Sequence, residues 1–453
     1  MTKQEAVIKY IEDNYLQFRR LRHDIVSDKL QIRMESDLTT LPHTTQPLHH
    51  PTPCYWREMT KNDINSIVCH CAQECDVNIT SREVMTALQS DLIPDVHPLR
   101  EYILSLKPYT PDQPDWIDFV ASQVKVKNND NIDNLSGNQL PAAPMENNSI
   151  PSYTTLHNTT PSADRLWRAC FKKWFVAMVA SWMKDEVVNH QVLVLIGKQG
   201  IYKTTWLEHL IPPHLRTYAC KLANSNELNK DERMRIAEFG LISLDEIDSM
   251  NNRELNQLKS IITTTDVNER AAYAYTKERR VRLASFCASG NRRDFLTDIT
   301  GNRRWLPFEV ESIQNPFTTI LPYERMYAQA WALANDEFFS YWFDLDEIEV
   351  LEQHNQHFRD ESNEEQLLDV YFAVPPTDAT NAKFLTTAEI SERLIYYGNI
   401  KKPMTLSRLG VLLSQKGFLS VRRGNPSRRG WIIYERESQE VNAERSILSK
   451  DLY

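Results

Sequence analysis

Residues Gly197 to Thr205 read GKQGIYKTT and combine two glycines, a lysine and two threonines in a short span. The apolar run QVLVLI precedes them and the segment WLEHLI follows, so the pattern predicts a strand, a loop and a helix. In such a loop, backbone N–H groups surround phosphate, the lysine reaches the β- and γ-phosphates and a hydroxyl ligates Mg²⁺. The sequence therefore predicts an ATP and Mg²⁺ site. Its nucleotide-binding residues are Gly197, Gly200, Lys203, Thr204 and Thr205.

One residue departs from the usual pattern, because Tyr202 stands where the second glycine is expected. An ordinary strand-to-helix connection can have the same composition. We expect the tyrosine side chain to point away from the phosphates, and we predict that Tyr202→Gly preserves ATPase activity. Partner motifs elsewhere in the chain decide between the two interpretations.

Two carboxylates end a second apolar run, in the sequence LISLDE. Asp245 is placed to hold Mg²⁺ together with Thr204, and Glu246 is placed to orient and deprotonate an attacking water. The alternative is a strand followed by an exposed acidic helix cap. The Lys-Thr loop upstream favours the catalytic interpretation.

A third apolar run, from Val281 to Cys287, predicts a strand that ends in the sequence ASGN, and the basic sequence TGNRRW follows about ten residues later. Asn291 is predicted to contact the γ-phosphate and position water, although Ser-Gly-Asn is also a common turn. Arg303 and Arg304 are candidates for an arginine finger, which neutralises transition-state charge on the γ-phosphate. Adjacent surface charges would give the same pattern. A finger acting in trans would require a ring or at least a dimer.

The segments GKQGIYKTT, LISLDEID, SFCASGN and TGNRRWLPFEVE occur in this order and together resemble the virulence-associated E (VapE/VirE) family. That family is related to superfamily 3 helicases and is found with phages, plasmids and integrated elements. The resemblance implies an AAA+-like fold, strongest over residues 164–320. Many relatives carry a primase module, but residues 1–125 show no convincing primase carboxylate pattern, so a primase would be a separate partner. The catalytic residues that the resemblance implies are Lys203, Asp245, Glu246, Asn291, Arg303 and Arg304.

Two basic segments are candidates for nucleic-acid contacts in a chain whose net charge is −9. The first lies between the sequences LISLDE and ASGN, where tyrosines are interleaved with basic residues as in a pore loop for single-stranded DNA. A solvated hairpin explains this pattern equally well. The second lies in FLSVRRGNPSRRGWIIYER near the C-terminus. The predicted contact residues are Lys277, Arg279, Arg280, Arg422, Arg423, Arg428 and Arg429.

Two predicted helices precede the second basic segment. The first starts with a Thr cap and a Glu three residues further on, and the second ends at Gly417. Helix, helix and hairpin predict a winged-helix-like domain that binds duplex DNA or a fork. The alternative is a winged helix used for protein contacts.

Changes in composition divide the chain. Residues 126–163 are rich in Asn, Ser, Thr and Pro, which predicts a disordered linker or insertion. An apolar helical stripe and alternating strand and helix patterns follow, which predict an α/β fold, an AAA+-like P-loop core with a mainly parallel sheet. The predicted regions are 1–125, a mixed and mainly helical N-terminal region; 126–163, the linker; 164–345, the ATPase domain; 346–370, an acidic connector; 371–437, the winged-helix-like domain; and 438–453, a tail.

Composition excludes other classes of protein. Hydrophobic residues make up 41% and charged residues 25%, as in soluble globular proteins. The sequence has no long uninterrupted apolar run and no signal-peptide core, so a cytoplasmic location is expected. Cys69, Cys71 and Cys75 lack the second ligand pair of a zinc site, so helical cysteines are the better interpretation.

These patterns predict an ATP-driven DNA helicase or translocase that serves replication of a phage, plasmid or integrated element. We expect a homo-oligomer, with a hexamer as one arrangement, and single-stranded DNA in its pore. The alternative is a DNA-binding regulatory or defence-related ATP switch without unwinding activity. Glu246 and the paired arginines favour the enzyme, whereas Tyr202 and the missing primase pattern favour the switch.

Overall fold

A computed structural model describes residues 2–34, 55–127, 162–222, 230–269, 278–296, 302–359, 362–375, 381–423 and 427–442. Most of the predicted linker 126–163, most of the tail 438–453 and Lys277 lie outside the described residues. The chain divides into two units, one of Met1–Arg292 with Arg304–Leu351 and one of Arg293–Arg303 with Glu352–Tyr453. The protein is of the mixed α/β class, as predicted.

The first unit begins with short helices and a small sheet. Threonine N-caps with a carboxylate three residues on start three of these helices, which is why they begin at Lys3, Lys61 and Ser81. The small sheet has the strand order β3-β2-β1-β4. Its elements and those that follow are α1 (Lys3–Ile11), β1 (Leu21–Asp24), β2 (Lys29–Met34), β3 (Tyr55–Glu58), α2 (Lys61–Cys75), α3 (Ser81–Leu88), β4 (Asp95–Val96), α4 (Pro98–Ser105), α5 (Trp116–Ala121) and β5 (Val124–Val126).

Helix α6 (Ala163–Met183) is the buried helix that the apolar stripe predicts. The indole N–H groups of Trp167, Trp174 and Trp182 donate to the carbonyls of Ala121, Phe286 and Gly240, respectively, at 2.9, 3.1 and 3.1 Å. Each buried indole is therefore satisfied while its ring packs in the core. Ala121 ends α5, whereas Phe286 lies on one strand that carries the candidate site and Gly240 immediately precedes another. Two of the three bonds therefore tie α6 to the strands of the site.

Alternating strands and helices complete the first unit. The strands are β6 (Val192–Ile196), β7 (Ala219–Leu222), β8 (Leu241–Leu244), β9 (Asp266–Glu269), β10 (Glu278–Val281), β11 (Ser285–Gly290) and β12 (Trp305–Ile313). The helices are α7 (Lys203–His209), α8 (Lys230–Glu238), α9 (Asn252–Thr263), α10 (Tyr323–Ala334) and α11 (Leu345–Gln356), the last of which crosses the division between the units.

The central sheet has six strands in the order β5-β12-β6-β11-β8-β7. All neighbouring strands are parallel except β5, which is antiparallel to β12. The mainly parallel sheet is therefore confirmed. Val281, the first residue of the third apolar run, ends β10, and β11 begins only at Ser285. Between them, the buried Arg282 guanidinium donates to the carbonyls of Ala284 and Asn189 and holds the intervening segment outside the central sheet.

The second unit has its own apolar core. Its further elements are α12 (Asn363–Tyr371), β13 (Phe372–Ala373), β14 (Lys383–Leu385), α13 (Thr387–Gly398), α14 (Leu406–Gln415), β15 (Leu419–Arg423) and β16 (Arg428–Glu435). Strand β16 pairs antiparallel with β13, β14 and β15. The predicted order of two helices followed by a hairpin is thus present. Within the described ranges, no helix is both long and apolar enough to cross a membrane.

Candidate functional site at the carboxyl edge of the parallel sheet

The parallel register brings the ends of three strands together. Strand β11 pairs with β6 on one side, up to Gly290 opposite Ile196, and with β8 on the other, up to Ala288 opposite Leu244. The chain segments that follow β6, β8 and β11 therefore emerge at one edge of the sheet. In open α/β sheets this edge is where ligands bind.

The loop after β6 depends on both of its glycines. A Cβ atom added to Gly197 would lie 2.8 Å from the carbonyl oxygen of Val310 on β12, so no side chain fits there. Gly200 has open space around it but a φ of +86°, a conformation that other residues adopt at a cost. The loop is thus held close to β12 and turns sharply before α7.

Lys203, the first residue of α7, points back into this loop. Its Nζ donates to the carbonyl oxygens of Gly197 and Lys198, each at 2.7 Å, and lies 3.3 Å from Oδ1 of Asn291. The residue is only 7% exposed. Burial lowers the pKa of Lys203 below its ordinary value, although the nearby carboxylates of Asp248 and Asp245 act in the opposite direction. These oxygen atoms therefore hold the ammonium group between the segments that follow β6 and β11.

Asp245 is the point where hydroxyl and ammonium groups meet. Its Oδ1 accepts hydrogen bonds from Thr204 Oγ1 at 3.2 Å and Ser289 Oγ at 2.8 Å, and the two hydroxyls are 2.8 Å apart. Its Oδ2 lies 2.8 Å from Nζ of Lys221 on β7. Burial raises the pKa of Asp245, but the hydrogen bonds from Lys221 and Ser289 outweigh it and hold the pKa below its usual value.

Glu246 occupies an unusual backbone conformation. Its φ of +50° is in the left-handed region, and it immediately precedes a 3-10 helix formed by Ile247–Ser249. Such a conformation costs a non-glycine residue of order 1–3 kcal/mol and is found most often at functional sites. The Glu246 side chain is exposed at the same edge as Asp245.

Tyr202 is also left-handed, with φ +67° and ψ +17°. The residue is 39% exposed, and its ring packs edge-on against Phe317, with centroids 6.4 Å apart. The side chain that replaces the expected glycine hydrogen therefore contacts another aromatic ring. Thr205 follows in α7, half-buried, with its carbonyl hydrogen-bonded to the His209 ring.

Arg304, one of the two predicted arginines, is not brought to this cluster. Arg304 immediately precedes β12, whose first residue, Trp305, pairs with Val192 at the start of β6. Arg304 thus lies at the amino edge of the sheet, and a strand of five residues, at about 3.3 Å each, separates it from the loop. Arg303 belongs to the second unit.

The basic residues of the β9–β10 hairpin are partly engaged by carboxylates. Arg279 pairs with Asp266 at 2.5 Å and remains exposed, whereas Arg280 pairs with Asp28 at 2.8 Å and its side chain is only 16% exposed. Lys277 lies outside the described residues. Arg279 is therefore the more accessible of the two described hairpin arginines for an external phosphate.

The four C-terminal arginines are paired across a hairpin. Arg422 is directly opposite Arg429 and Arg423 is opposite Arg428 in the β15–β16 register, and all four are exposed. Like charges directly opposite each other in a sheet are unfavourable. An external anion would relieve this repulsion.

Sequence reasoning missed three polar residues of the cluster: Ser289, Lys221 and Asp248. Ser289 is 2% exposed within an apolar strand, and only its position one residue before the strand end gave a signal. Lys221 lies on β7, and nothing in the local pattern links it to Asp245. Asp248 accepts backbone hydrogen bonds from Asn291 and Arg292.

The fold and the site define an α/β protein with a cationic loop and an oxygen-rich carboxylate cluster at the carboxyl edge of its parallel sheet. The model of the Virulence-associated protein E-like domain matches residues 149–366. Residues 149–366 are therefore similar to the domain of this family, which the motifs predicted.

Comparison with curated proteins finds no match. Among solved structures, the chain is similar to the apo structure of the NrS-1 C-terminal region, with 10% identity, 95% of this chain and 99% of that chain covered, and a TM-score of 0.45. It is also similar to two A-form apo structures of that region. The first is 9% identical, with 95% of this chain and 100% of that chain covered and a TM-score of 0.41. The second is 11% identical, with 92% of this chain and 98% of that chain covered and a TM-score of 0.43.

Proposed function

We propose that this protein is an ATP-hydrolysing DNA helicase or translocase that serves replication of a phage, plasmid or integrated element. The observation that carries the proposal is the convergence of Lys203, Thr204 and Asp245 at one edge of the sheet, with Asn291 at the same place. An ammonium group, a hydroxyl, a carboxylate and an amide in this arrangement are what phosphoryl transfer from ATP requires. The virulence-associated protein E-like domain supports the role in a mobile element.

The cluster fits Mg²⁺ and triphosphate by the chemistry of its donors. Thr204, Ser289 and Asp245 supply hard oxygen atoms within 3.2 Å of one another, and Mg²⁺ prefers oxygen ligands. In our proposal Thr204 and Asp245 hold Mg²⁺, which when bound neutralises charge on the phosphates. Lys203 and the Gly197–Tyr202 loop bind the β- and γ-phosphates.

The remaining residues act on the attacking water and on the γ-phosphate. Glu246, exposed beside Asp245, orients the water and accepts its proton. Asn291, 3.3 Å from Lys203 Nζ, donates its amide to a γ-phosphate oxygen and positions the water. The sheet order supports these roles, because β11 lies between the strands that carry the loop and the carboxylates.

Arg304 lies at the amino edge of the sheet, so we propose that it or Arg303 completes the site of a neighbouring subunit. This requires a homo-oligomer with repeated head-to-tail interfaces, such as a hexamer. Single-stranded DNA then passes along the basic β9–β10 segment. The residues proposed for that contact are Lys277, Arg279 and Arg280.

The second unit supports a winged-helix proposal. Helices α12, α13 and α14 and the β15–β16 hairpin follow one another in the order of that motif, with β14 and β15 both paired to β16. Four exposed arginines lie at the hairpin end. We propose that this unit binds duplex DNA or a fork through the phosphate backbone.

The ATPase rate with and without single-stranded DNA tests the proposal. We expect hydrolysis by the full chain, stimulation by DNA, and loss of hydrolysis in both Lys203→Ala and Glu246→Gln. Lys203→Ala should also lose nucleotide binding, whereas Glu246→Gln should keep it, because the latter removes only the base. Lys125→Ala, a change at an exposed lysine on the edge strand β5, is the control and should match the unsubstituted protein.

A regulatory or defence-related ATP switch is the second candidate, and Tyr202 favours it, since a tyrosine in place of the loop glycine can slow turnover. Two results together would favour the switch over the helicase or translocase. The protein would bind ATP tightly without DNA-stimulated hydrolysis, and Glu246→Gln would hydrolyse ATP at the same rate as the unsubstituted protein. Absence of nucleotide binding would exclude both.

A further inference from the structure

Asp248 is a third carboxylate at the edge of the sheet, in the 3-10 helix that follows Glu246. Its side chain is only 9% exposed although it lies in a surface turn. Its Oδ1 accepts the backbone N–H of Asn291 at 3.2 Å, and its Oδ2 accepts the backbone N–H of Arg292 at 3.0 Å. One carboxylate therefore binds two consecutive amides of the turn that carries Asn291.

The strand end is shaped to admit this carboxylate. A Cβ atom added to Gly290 would lie 2.9 Å from Oδ1 of Asp248 and 2.8 Å from Cδ1 of Ile196. The absence of a side chain at Gly290 thus allows Asp248 to approach the amides that follow. Any larger residue at position 290 would displace both the carboxylate and the end of the Ile196 side chain.

The Asp248 main chain contributes as well. Its carbonyl oxygen accepts a hydrogen bond from Nη2 of Arg292 at 2.6 Å, while the rest of that arginine is largely exposed. The turn after β8 and the turn after β11 are therefore joined by three hydrogen bonds and by an ion pair of 3.6 Å between Nε of Arg292 and Oδ2 of Asp248. Bonds to an ionised acceptor are stronger than neutral ones, so the two carboxylate bonds carry most of this connection.

We propose that Asp248 is a positioning residue that fixes Asn291 relative to Glu246 for hydrolysis. The inference rests on the proposed ATPase function. Asp248 touches neither the phosphates nor the attacking water in this scheme. It acts through Asn291, whose amide must lie within hydrogen-bond reach of the γ-phosphate, and through the short turn that it shares with Glu246.

Asp248→Asn is the variant of choice, because it keeps the size of the side chain but presents an NH₂ group to one of the two amides. We expect kcat for ATP to fall by about 10- to 100-fold, the range seen when an outer-shell partner is removed, with KM changed by no more than about twofold. A purely structural role would lower the thermal midpoint without separating kcat from KM.

A double-mutant cycle with Asn291→Ala isolates the mechanism. If Asp248 acts through Asn291, the double variant should be no slower than the slower single variant. Arg292→Ala is the matched control, since it removes the side-chain bond to the Asp248 carbonyl but keeps both backbone donors. It also removes the ion pair between Nε of Arg292 and Oδ2 of Asp248 at 3.6 Å. Because the two backbone bonds hold the turn, its kcat should stay within about twofold of the unsubstituted value.

Gly290→Ala provides a second route if Asp248→Asn does not fold, because it displaces the carboxylate without removing a polar group. It should show the same fall in kcat. An unchanged kcat in a folded Asp248→Asn or Gly290→Ala, or losses that multiply in the double variant, would overturn the positioning role while leaving the ATPase proposal intact. An inactive unsubstituted protein would overturn both.

Discussion

Tyr202 and Lys203 are adjacent residues that the fold treats in opposite ways. The lysine is buried and its three Nζ contacts are to oxygen atoms of the site, whereas the tyrosine lies half in solvent against Phe317. The loop keeps its direction because the tyrosine adopts a glycine-like backbone conformation. A substitution that departs from the motif is thus accommodated by strain in one residue.

Tyr202→Gly is predicted to preserve hydrolysis, because the backbone conformation that the loop needs is one that glycine adopts freely. Tyr202→Ala is the matched comparison, since it also removes the ring but keeps a Cβ in the left-handed region. We expect the glycine variant to be more stable than the alanine variant by about 0.5–1 kcal/mol. Chemical denaturation and ATPase rates measure the two effects.

Loss of activity in Tyr202→Gly, with Tyr202→Ala active, would assign the defect to loop flexibility. Loss in both variants would give the tyrosine ring a role in turnover. An alanine variant as stable as the glycine variant would contradict the strain interpretation.

Residues that belong to contiguous motifs could be predicted from sequence, because spacing along a strand and loop determines where they emerge. Thr204, Asp245 and Asn291 are of this kind. Lys221 and Ser289 could not be assigned in the same way, since their proximity to Asp245 arises from the order of strands in the sheet. The sequence of one apolar run does not indicate which other strands will pair with it. Glu246 was predicted by motif, but not its left-handed backbone.

At the scale of elements, helix starts followed their capping signals closely. Thr60 with Asp63 and Thr386 with Glu389 form the reciprocal bonds that begin α2 and α13. The start of β11 was predicted too early, because a buried arginine interrupts the apolar run. Such an interruption depends on carbonyl groups distant in sequence, which no local pattern contains.

Helix α4 has a histidine cap that makes its stability depend on pH. Nδ1 of His97 accepts the backbone N–H of Arg100 at 3.3 Å, and burial lowers the pKa of His97 from 6.5 to about 4. The unfolded chain binds this proton more readily than the folded chain, so the contribution is fully present above pH 6.5 and is lost as pH falls through 4. His97→Asn keeps a cap acceptor and should reduce the loss of unfolding free energy between these pH values.

Denaturant titrations of both proteins across this range provide the measurement. Other carboxylates and histidines contribute equally to each protein, so the difference between the two pH profiles is the informative quantity. Parallel profiles would contradict the assignment of the effect to His97.

The four arginines of the β15–β16 hairpin are predicted to contribute to DNA binding and not to the stability of the fold. The double substitution Arg422→Gln with Arg428→Gln removes one charge from each cross-strand pair. We expect no loss of unfolding free energy, and a logarithmic salt slope of DNA binding that is smaller by about two. Fluorescence anisotropy at several salt concentrations measures the slope.

Lys383→Gln is the control for the hairpin, because that lysine belongs to the same sheet but pairs with Glu435 at 2.7 Å. Its salt slope should not change. An unchanged slope in the double arginine variant would instead support a protein partner for the second unit.

At the scale of the whole molecule, the position of Arg304 predicts that active sites are shared between subunits. Arg304→Ala and Glu246→Gln should each be inactive, but an equal mixture should recover roughly a quarter of the sites if subunits assemble at random head to tail. Mixing Glu246→Gln with Lys203→Ala should recover nothing, because both variants damage the same half of the site. ATPase assays of the mixtures, with Arg303→Ala tested in parallel, distinguish the two arginines.

If neither arginine variant restores ATPase activity when mixed with Glu246→Gln, neither arginine acts on the site of a neighbouring subunit. Mass measurement with a non-hydrolysable ATP analogue and DNA then decides whether the protein assembles at all. A monomer under those conditions would favour the switch over the motor.

The close seating of Gly197 against Val310 has a mechanical consequence. The loop that we propose for phosphate rests on the backbone of β12, and Arg304 immediately precedes the same strand at its opposite end. A strand hydrogen-bonded on both sides transmits displacement along its length with little compliance. In the proposed assembly, β12 therefore connects two nucleotide sites mechanically. A displacement of Arg304 toward the phosphates of a neighbouring subunit would also move Val310, on which this subunit's own phosphate-binding loop rests.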